Sequence, residues 1–415
     1  MAATVHIIGA GLAGLSAAVR LAARGKKVVV HEATAFAGGR CRSYHDASVG
    51  MTIDNGNHLL LSGNHAALAY LRSIGAEHRL IGPAKAEFAF ADLANGERWT
   101  LRFNDGRLPV WVFDPSRRVP GTRPLDYLPL ARLLWAPASK TVGEVIACKG
   151  VLYDRLVEPL LLAALNIDAP LGSARLAGTI IRETLAVGGR ACRPLIAREG
   201  LGTTLIEPAL AYLQQRGAAV RMEHQLRGLR FAGERVDALD FGSETIALDP
   251  DDTVILAVPP YAAASLLRDL DVPKEFRAIV NAHFRIEPPA GQPPILGVIN
   301  GTVQWLFAFP GRLSVTISAG DRLIDTPREE LAQTIWGEVA TLTGLLPELP
   351  PWQIVRERRA TFAATPAQDA RRPGPATKWR NLVLAGDWTD TGLPATIEGA
   401  IRSGNRAADI IAKLS

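Results

Sequence analysis

An α/β protein of two interleaved domains is what these 415 residues predict, on three observations. A strand, a glycine-rich turn, a helix and a second strand open the chain. A stretch of alternating strands rich in Pro, Trp, Phe and Arg then interrupts that pattern. The opening style returns twice, after Gly200 and again at the C-terminus.

The first unit is the most specific. Thr4 to Ile8 is a β-branched apolar run, Leu12 to Ala23 carries apolar residues at helical spacing, and Lys27 to His31 is a valine-rich strand. Between the first strand and the helix lies Gly9-Ala10-Gly11-Leu12-Ala13-Gly14, a G-x-G-x-x-G, and the acidic Glu32 ends the second strand. This is a dinucleotide fingerprint in its proper context, a Rossmann-type βαβ unit. Gly9 permits the tight turn, Gly11 lets the backbone approach a pyrophosphate, and Gly14 lets helix and sheet pack closely. The helix N-terminus at Leu12 and Ala13 favours phosphate charge, and Glu32 accepts hydrogen bonds from a ribose.

From about Arg79 to Ala138 the composition changes, and alternation such as Arg98 to Phe103 reads as antiparallel strands. Thr141 to Leu165 reads as helical and broken by Pro159, and Ser173 to Leu185 as a further helix. Gly200-Leu201-Gly202 opens a helix through Gln215; Leu205 stands where a third glycine is needed, so this is a structural turn. Strands follow around Ala219 to Met222, Leu226 to Phe231, Asp237 to Phe241 and Asp252 to Val258. Ile279 to Ile286, Ile295 to Asn300, Gln304 to Phe309 and Leu313 to Ser318 read as a second sheet. The chain closes on a strand, Leu382 to Ala385, and a helix from about Pro394. The expected division gives 1–78, 199–262 and 379–415 to the nucleotide domain, and 79–198 and 263–378 to an α+β substrate domain.

Composition narrows the function. At 48% apolar and 21% charged residues the chain is a folded protein without long disordered tracts. Cys41, Cys148 and Cys192 form no C-x-x-C pair, which argues against a disulfide framework and against a zinc site and fits a reducing, cytoplasmic compartment. The first residues lack a signal-peptide pattern, and no window reaches the length of a spanning helix. The net charge of +5 favours an anionic lipid surface, and no basic stripe with interleaved aromatics points to nucleic acid. A peripheral contact with the inner face of the cytoplasmic membrane is therefore expected. The segment between Arg117 and Lys140, with Leu125, Tyr127, Leu128, Leu130, Leu133, Leu134 and Trp135 among arginines, is the expected place.

After the acid, Gly38-Gly39-Arg40 follows a short loop, and the C-terminus carries Gly386-Asp387-Trp388 and then Gly392-Leu393-Pro394-Ala395-Thr396-Ile397-Glu398-Gly399-Ala400. With these motifs the chain resembles the flavin amine oxidase, phytoene desaturase and GDI superfamily, whose members share a GR2-like FAD-binding domain. The resemblance implies non-covalent FAD. It implies that Ala33, Gly38, Gly39 and Arg40 lie along the cofactor, Arg40 by the phosphates, and that Gly386 and Asp387 meet the ribitol chain. The helix near Pro394, Thr396 and Ile397 would aim its N-terminus at the flavin pyrimidine, where its partial positive charge stabilises reduced flavin. Ile53-Asp54-Asn55-Gly56-Asn57-His58 matches the segment under the isoalloxazine, which brings Gly56, Asn57 and His58 to the flavin, and Leu226 matches a position whose backbone meets the adenine.

Amine oxidases place an aromatic residue and a lysine where this chain has Thr396 and Asn281, which disfavours an amine substrate. The whole pattern is most similar to the squalene-associated desaturase-like family of hopanoid pathways, understood as hydroxysqualene dehydroxylases. The resemblance implies an apolar isoprenoid substrate, removal of an allylic hydroxyl, and hydride from reduced FAD. A separate electron donor or reductase, or free reduced nicotinamide, is implied as well. His58 is the first candidate acid, because histidine titrates near neutral pH; Asp54 and Glu398 are carboxylates in the same motifs. Two other readings stay open: a carotenoid or polyene desaturase or isomerase, with hydride flow reversed, and a prenyl-binding escort of the GDI type.

Overall fold

The computed structural model describes residues 3–414; Met1, Ala2 and Ser415 lie outside the described residues. Its central element is a five-stranded sheet in the order Ala219–Arg221, Lys27–His31, Thr4–Ile8, Thr253–Leu256, Leu382–Leu384. Every pairing in it is parallel, and three distant parts of the chain contribute. Parallel strands need both faces covered, and the near-continuous apolar runs Val5, Ile7, Ile8 and Val254, Ile255, Leu256 meet that need. The first helix, Leu12–Ala22, and the C-terminal helix, Ile397–Leu414, pack against each other on this sheet. Their contact is close because the C-terminal helix lacks a side chain at the crossing: a Cβ on Gly404 would lie 2.1 Å from the Ala13 carbonyl oxygen. Gly14 serves the glycine-rich turn instead, where a Cβ would lie 1.9 Å from the Gly9 carbonyl oxygen.

The second architecture is a seven-stranded sheet in the order Trp352–Phe362, Phe276–Arg285, Arg312–Ile317, Trp305–Phe309, Ile295–Ile299, Glu87–Asp92, Arg98–Arg102. Strand periodicity sorts its side chains. Val280, Ala282, Phe284, Leu313, Val315, Ile317, Leu306 and Leu296 point to one face and close on the helix Arg328–Thr343 through Ile335, Trp336 and Val339. The opposite face carries Asn281, His283, Ser314 and Thr316 at one end and Trp305, Phe307, Phe309, Phe90 and Trp99 at the other. The aromatic end joins a large apolar cluster with Leu133, Leu152, Leu156, Leu161 and Ile181 from the helical segments above it.

Several boundaries differ from expectation for identifiable reasons. The strand expected to reach Met222 ends at Arg221, because Glu223 adopts a left-handed conformation at φ +51°. Leu226 therefore lies beyond the sheet strand, as a buried residue of the following loop. Pro159 does not break a helix: helical backbone runs from Val151 to Leu165, with a π-turn at Tyr153–Val157 just before the proline, and the interruption falls at Ile146 to Gly150. The C-terminal helix starts at Ile397 rather than near Pro394. Thr396 caps it, its Oγ1 accepting the Gly399 amide at 3.0 Å. Among the described residues no helix is long and apolar enough to cross a membrane, and no group of three or more His, Cys, Asp or Glu could hold a metal ion.

Candidate functional site

The glycine-rich turn is arranged as its spacing predicts. Gly9 has φ +107°, and a Cβ there would meet the Ala257 carbonyl at 2.5 Å, so the turn is closed against the neighbouring strand. Gly11 is different: a Cβ on it would meet no heavy atom within 4 Å. Its smallness therefore serves approach from outside, at the N-terminus of the Leu12–Ala22 helix, where amide groups favour an anion. Glu32 reaches back to this turn. Its Oε2 accepts the Ala10 amide at 2.8 Å and its Oε1 accepts the Thr34 amide at 3.0 Å. Glu223 and His224 close the same corner through their amides, donated to the carbonyls of Thr34 and Glu32. Those two residues were missed by sequence reasoning, since a left-handed glutamate carries no motif.

From that turn a continuous polar path leads across the molecule. Gly38 pairs with Gly11 in a parallel bridge, and two residues later Arg40 donates to Asp387 Oδ1 at 2.6 Å and to the Ala360 carbonyl at 2.6 Å. Asp387 is itself buried, while 42% of the Arg40 side chain remains accessible although the residue sits deep in the protein. His58 has the same character, intermediate in exposure yet deep enough that burial lowers its pKa to about 4, with the Arg40 charge acting in the same direction. At neutral pH its imidazole is uncharged. The premise that His58 titrates near neutrality is thus corrected by its surroundings.

The other two carboxylate candidates have structural partners. Asp54 Oδ1 accepts from Ser43 Oγ at 2.6 Å and from the Leu201 amide at 2.8 Å, and its Oδ2 faces Arg312 at 3.7 Å. It fastens the hairpin Ser43–Asp46 and Met51–Asp54 to the Gly200 turn, whose Gly202 amide goes to Ser43 Oγ at 2.7 Å. Glu398 accepts the amides of Ala66 and Ala67 at 3.1 and 2.8 Å, which caps the helix His65–Ser73.

Between Asp54 and His58 the chain crosses the polar end of the seven-stranded sheet. Asn55 Nδ2 donates to Glu357 Oε2 at 3.1 Å, and Asn57 Nδ2 donates to Thr316 Oγ1 at 3.1 Å. Asn281 stands beneath Gly56, its Nδ2 3.0 Å from where a Cβ would be. The C-terminal motif is held from below by Arg372, another residue that no motif announced. Its buried guanidinium bonds Asp369 at 3.0 Å, the Asp387 carbonyl at 3.2 Å and the Thr389 carbonyl at 2.5 Å. Gly386 follows the sheet strand directly, and its amide goes to Ser403 Oγ at 2.9 Å.

The structure therefore brings Gly9, Gly11, Leu12, Ala13, Gly14, Glu32 and Ala33 together at one end, and Gly38, Gly39, Arg40, Asp387, Gly386 and Asn55 to His58 along one path. Pro394, Thr396 and Ile397 lie at the turn into the C-terminal helix, which packs beside the first helix at Ile401 and Gly404. Such an arrangement fits an extended dinucleotide with its phosphates at Gly11. A helix N-terminus beside a glycine turn and an acid at the end of the second strand are features that a flavin dinucleotide uses.

Residues 12–412 match the family model for flavin containing amine oxidoreductase. The chain is 64% identical to the hydroxysqualene dehydroxylase of Rhodopseudomonas palustris, over 99% of each chain. It is 61% identical to that of Sinorhizobium fredii, over 99% of this chain and 98% of the relative. A probable zeta-carotene desaturase of Synechococcus elongatus is only 23% identical, over 97% of both. Among solved structures, cyclohexylamine oxidase from Brevibacterium oxydans superposes with a TM-score of 0.71 at 17% identity, covering 100% of this chain and 99% of that one, which speaks for the fold. The chain belongs to the flavin containing amine oxidoreductase family, as an FAD-dependent oxidoreductase of the branch that holds the hydroxysqualene dehydroxylases.

Proposed function

We propose that this enzyme removes the hydroxyl of hydroxysqualene and returns squalene. The full-length identity to hydroxysqualene dehydroxylases supports this reading over desaturation, whose named representatives are distant. The observation that carries it in the structure is the graded face of the seven-stranded sheet. An alcohol with a long hydrocarbon tail needs polar groups at one end and an apolar bed at the other. Asn281 and Thr316 stand at the polar end, and Trp305, Phe307, Phe90 and Trp99 at the apolar end, within the large cluster.

Reduced FAD, when bound, supplies a hydride. Loss of the hydroxyl as water takes up one proton and leaves an allylic cation; the hydride fills the vacant carbon, so alcohol and reduced flavin give hydrocarbon, water and oxidised flavin. Gly11 and the first helix would hold the pyrophosphate, Glu32 the adenosine ribose, and Asp387 the ribitol chain, with Arg40 tied to it. Leu226 is assigned to the adenine. His58, neutral at working pH, donates a hydrogen bond beside the reacting centre rather than carrying a positive charge. Pro394, Thr396 and Ile397, at the start of the C-terminal helix, would meet the flavin pyrimidine, where the helix N-terminus would stabilise negative charge. The apolar cluster excludes water from the cation.

The substrate is lipid-soluble, and a contact with the inner face of the membrane is part of the proposal. Leu108, Val110, Phe113, Leu125, Leu128 and Trp135 are exposed, Trp135 by 79%, amid the exposed Arg107, Arg123 and Arg132. The two segments touch through Trp111 and Tyr127. Apolar side chains rimmed by arginine suit an anionic bilayer surface. Leu133, expected in that patch, is instead fully buried, and Tyr127 bonds Thr122 and the Val119 amide inside the fold. Electrons reach the site from a separate reductase or from free reduced nicotinamide. The decisive experiment mixes photoreduced enzyme anaerobically with hydroxysqualene. Squalene formation with return of the oxidised flavin spectrum is expected; bleaching of oxidised enzyme by a polyene, with no squalene from the alcohol, would establish the desaturase reading instead.

A further inference from the structure

Arg312 opens the strand Arg312–Ile317, and its guanidinium is incompletely satisfied among the described residues. Only 6% of the side chain is accessible. A guanidinium offers five N–H donors, and here Nη1 donates to the Thr52 carbonyl at 3.2 Å. Nη2 faces Asp54 Oδ2 at 3.7 Å, beyond hydrogen-bond reach. Asp54 comes no nearer because its other oxygen is committed to Ser43 Oγ and the Leu201 amide. Nε is sealed without a partner, and one face of the group lies 4.5 Å over the Phe309 ring. Burial holds the guanidinium below its usual pKa, and the Asp54 charge opposes that. A buried charge without full compensation is costly, so a fold keeps one where something else completes it. The accessible part of Arg312 faces a cleft of about 360 Å³. Three separate stretches form its walls: Met51 and Thr52 of the hairpin, Arg198 and Glu199 ahead of the Gly200 turn, and Phe309 and Pro310 beside Arg312. Arg198 and Glu199 are exposed at its rim.

The geometry points to a binding site for a small phosphate-bearing anion, seated on Arg312 at the floor of this cleft and on Arg198 at its rim. A guanidinium fork matches two oxygens of a phosphate, whereas a monatomic ion would meet it at one point. The volume is at the small end of ligand sites, which suits a phosphate with a short organic remainder. Arg198 adds a second positive charge, and Glu199 limits the affinity with an opposing one. The occupant joins the hairpin, the Gly200 turn and the seven-stranded sheet. Thr52 belongs to the strand that runs directly into Asn55 to His58, so the occupant also fixes the root of that segment. The inference stands apart from the cofactor and substrate readings, since no residue of the cleft is assigned to either.

The full-length protein is titrated with inorganic phosphate at constant ionic strength, and binding is read by calorimetry and by the rise in Tm. Saturable one-to-one binding is expected. Arg312→Gln should weaken it about tenfold to a hundredfold, the effect of losing a hydrogen bond from a charged group. Arg198→Gln should weaken it, and Glu199→Gln tighten it, each by about twofold to fivefold, as exposed charges do. These two rim variants carry the test if Arg312→Gln does not fold. Phosphatidylcholine vesicles with phosphatidic acid identify the source: competition with inorganic phosphate assigns the site to a lipid headgroup, and lack of competition assigns it to a free phosphate compound. Absence of saturable phosphate binding, or binding equal in the wild type and every folded variant, overturns the inference.

Discussion

Asp387 and Glu32 hold the fold through charge and backbone amides at the proposed cofactor site. Asp387 neutralises Arg40 at 2.6 Å, so Asp387→Ala removes the proposed ribitol acceptor and leaves a deep guanidinium without its carboxylate. Glu32→Ala frees the Ala10 and Thr34 amides and removes the proposed ribose acceptor. A hydrogen bond to a charged group contributes about 1.5–3 kcal/mol, so each variant should weaken FAD binding by roughly tenfold to a hundredfold. Flavin fluorescence titration checks this, and wild-type affinity in both variants would remove Asp387 and Glu32 from the cofactor map. These residues were legible because their chemistry lies in short motifs. Arg372 and Glu398 were not: Glu398 sits inside a motif, but its partner amide at Ala66 is 332 residues away, and nothing local distinguishes a helix cap from an acid.

Elements were legible to the extent that their periodicity was local. The Rossmann-type unit and the strands of the second sheet follow apolar patterns, whereas the end of the strand at Arg221 depends on a left-handed Glu223 that only tertiary bonds to Thr34 and Glu32 require. Helix contact adds a test. A methyl group at position 404 would lie 2.1 Å from the Ala13 carbonyl, so Gly404→Ala must push the C-terminal helix off the first helix. Overpacking of this kind costs about 1–3 kcal/mol, and because the first helix carries the proposed pyrophosphate site, FAD should be lost with stability. Urea unfolding and flavin content should fall together; a variant as stable as wild type would mean that the helices have room to separate. The exposed segment is tested at the same scale. Liposome co-sedimentation with anionic lipid should occur in the wild type and drop on Leu128→Asp with Trp135→Asp, while neutral vesicles bind less. Binding that is absent, or indifferent to the substitutions, would leave those residues as ordinary surface.

Across the whole molecule, four buried histidines are held toward the neutral form. Burial is the first cause in each case. It lowers His6, takes His31 to about 3, His58 to about 4 and His283 to about 3. Neighbouring charge reinforces it, from Arg221 at His6 and His31, from Arg40 at His58 and from Arg312 at His283, while Asp252 opposes it at His6 and Asp54 at His58. His31 is further held between two imidazoles, His6 Nδ1 at 3.1 Å and His224 Nδ1 at 2.8 Å, which cannot all be charged. An unfolded histidine titrates near 6.5. Below that pH the unfolded chain takes up protons that the folded chain refuses, so stability is fully present above about pH 6.5 and is lost as pH falls toward 4 and 3. Each such proton costs about 1.4 kcal/mol per pH unit, and the three at His31, His58 and His283 amount to roughly 3–4 kcal/mol between pH 6 and 5, a large share of the stability of a typical domain. Urea midpoints should therefore be level from pH 8 to 7 and drop steeply from pH 6 to 5. In His31→Gln and His283→Gln the drop should be shallower, each variant removing one linked proton. A midpoint that stays flat down to pH 5, or a slope unchanged in both variants, would show that these histidines charge within the fold.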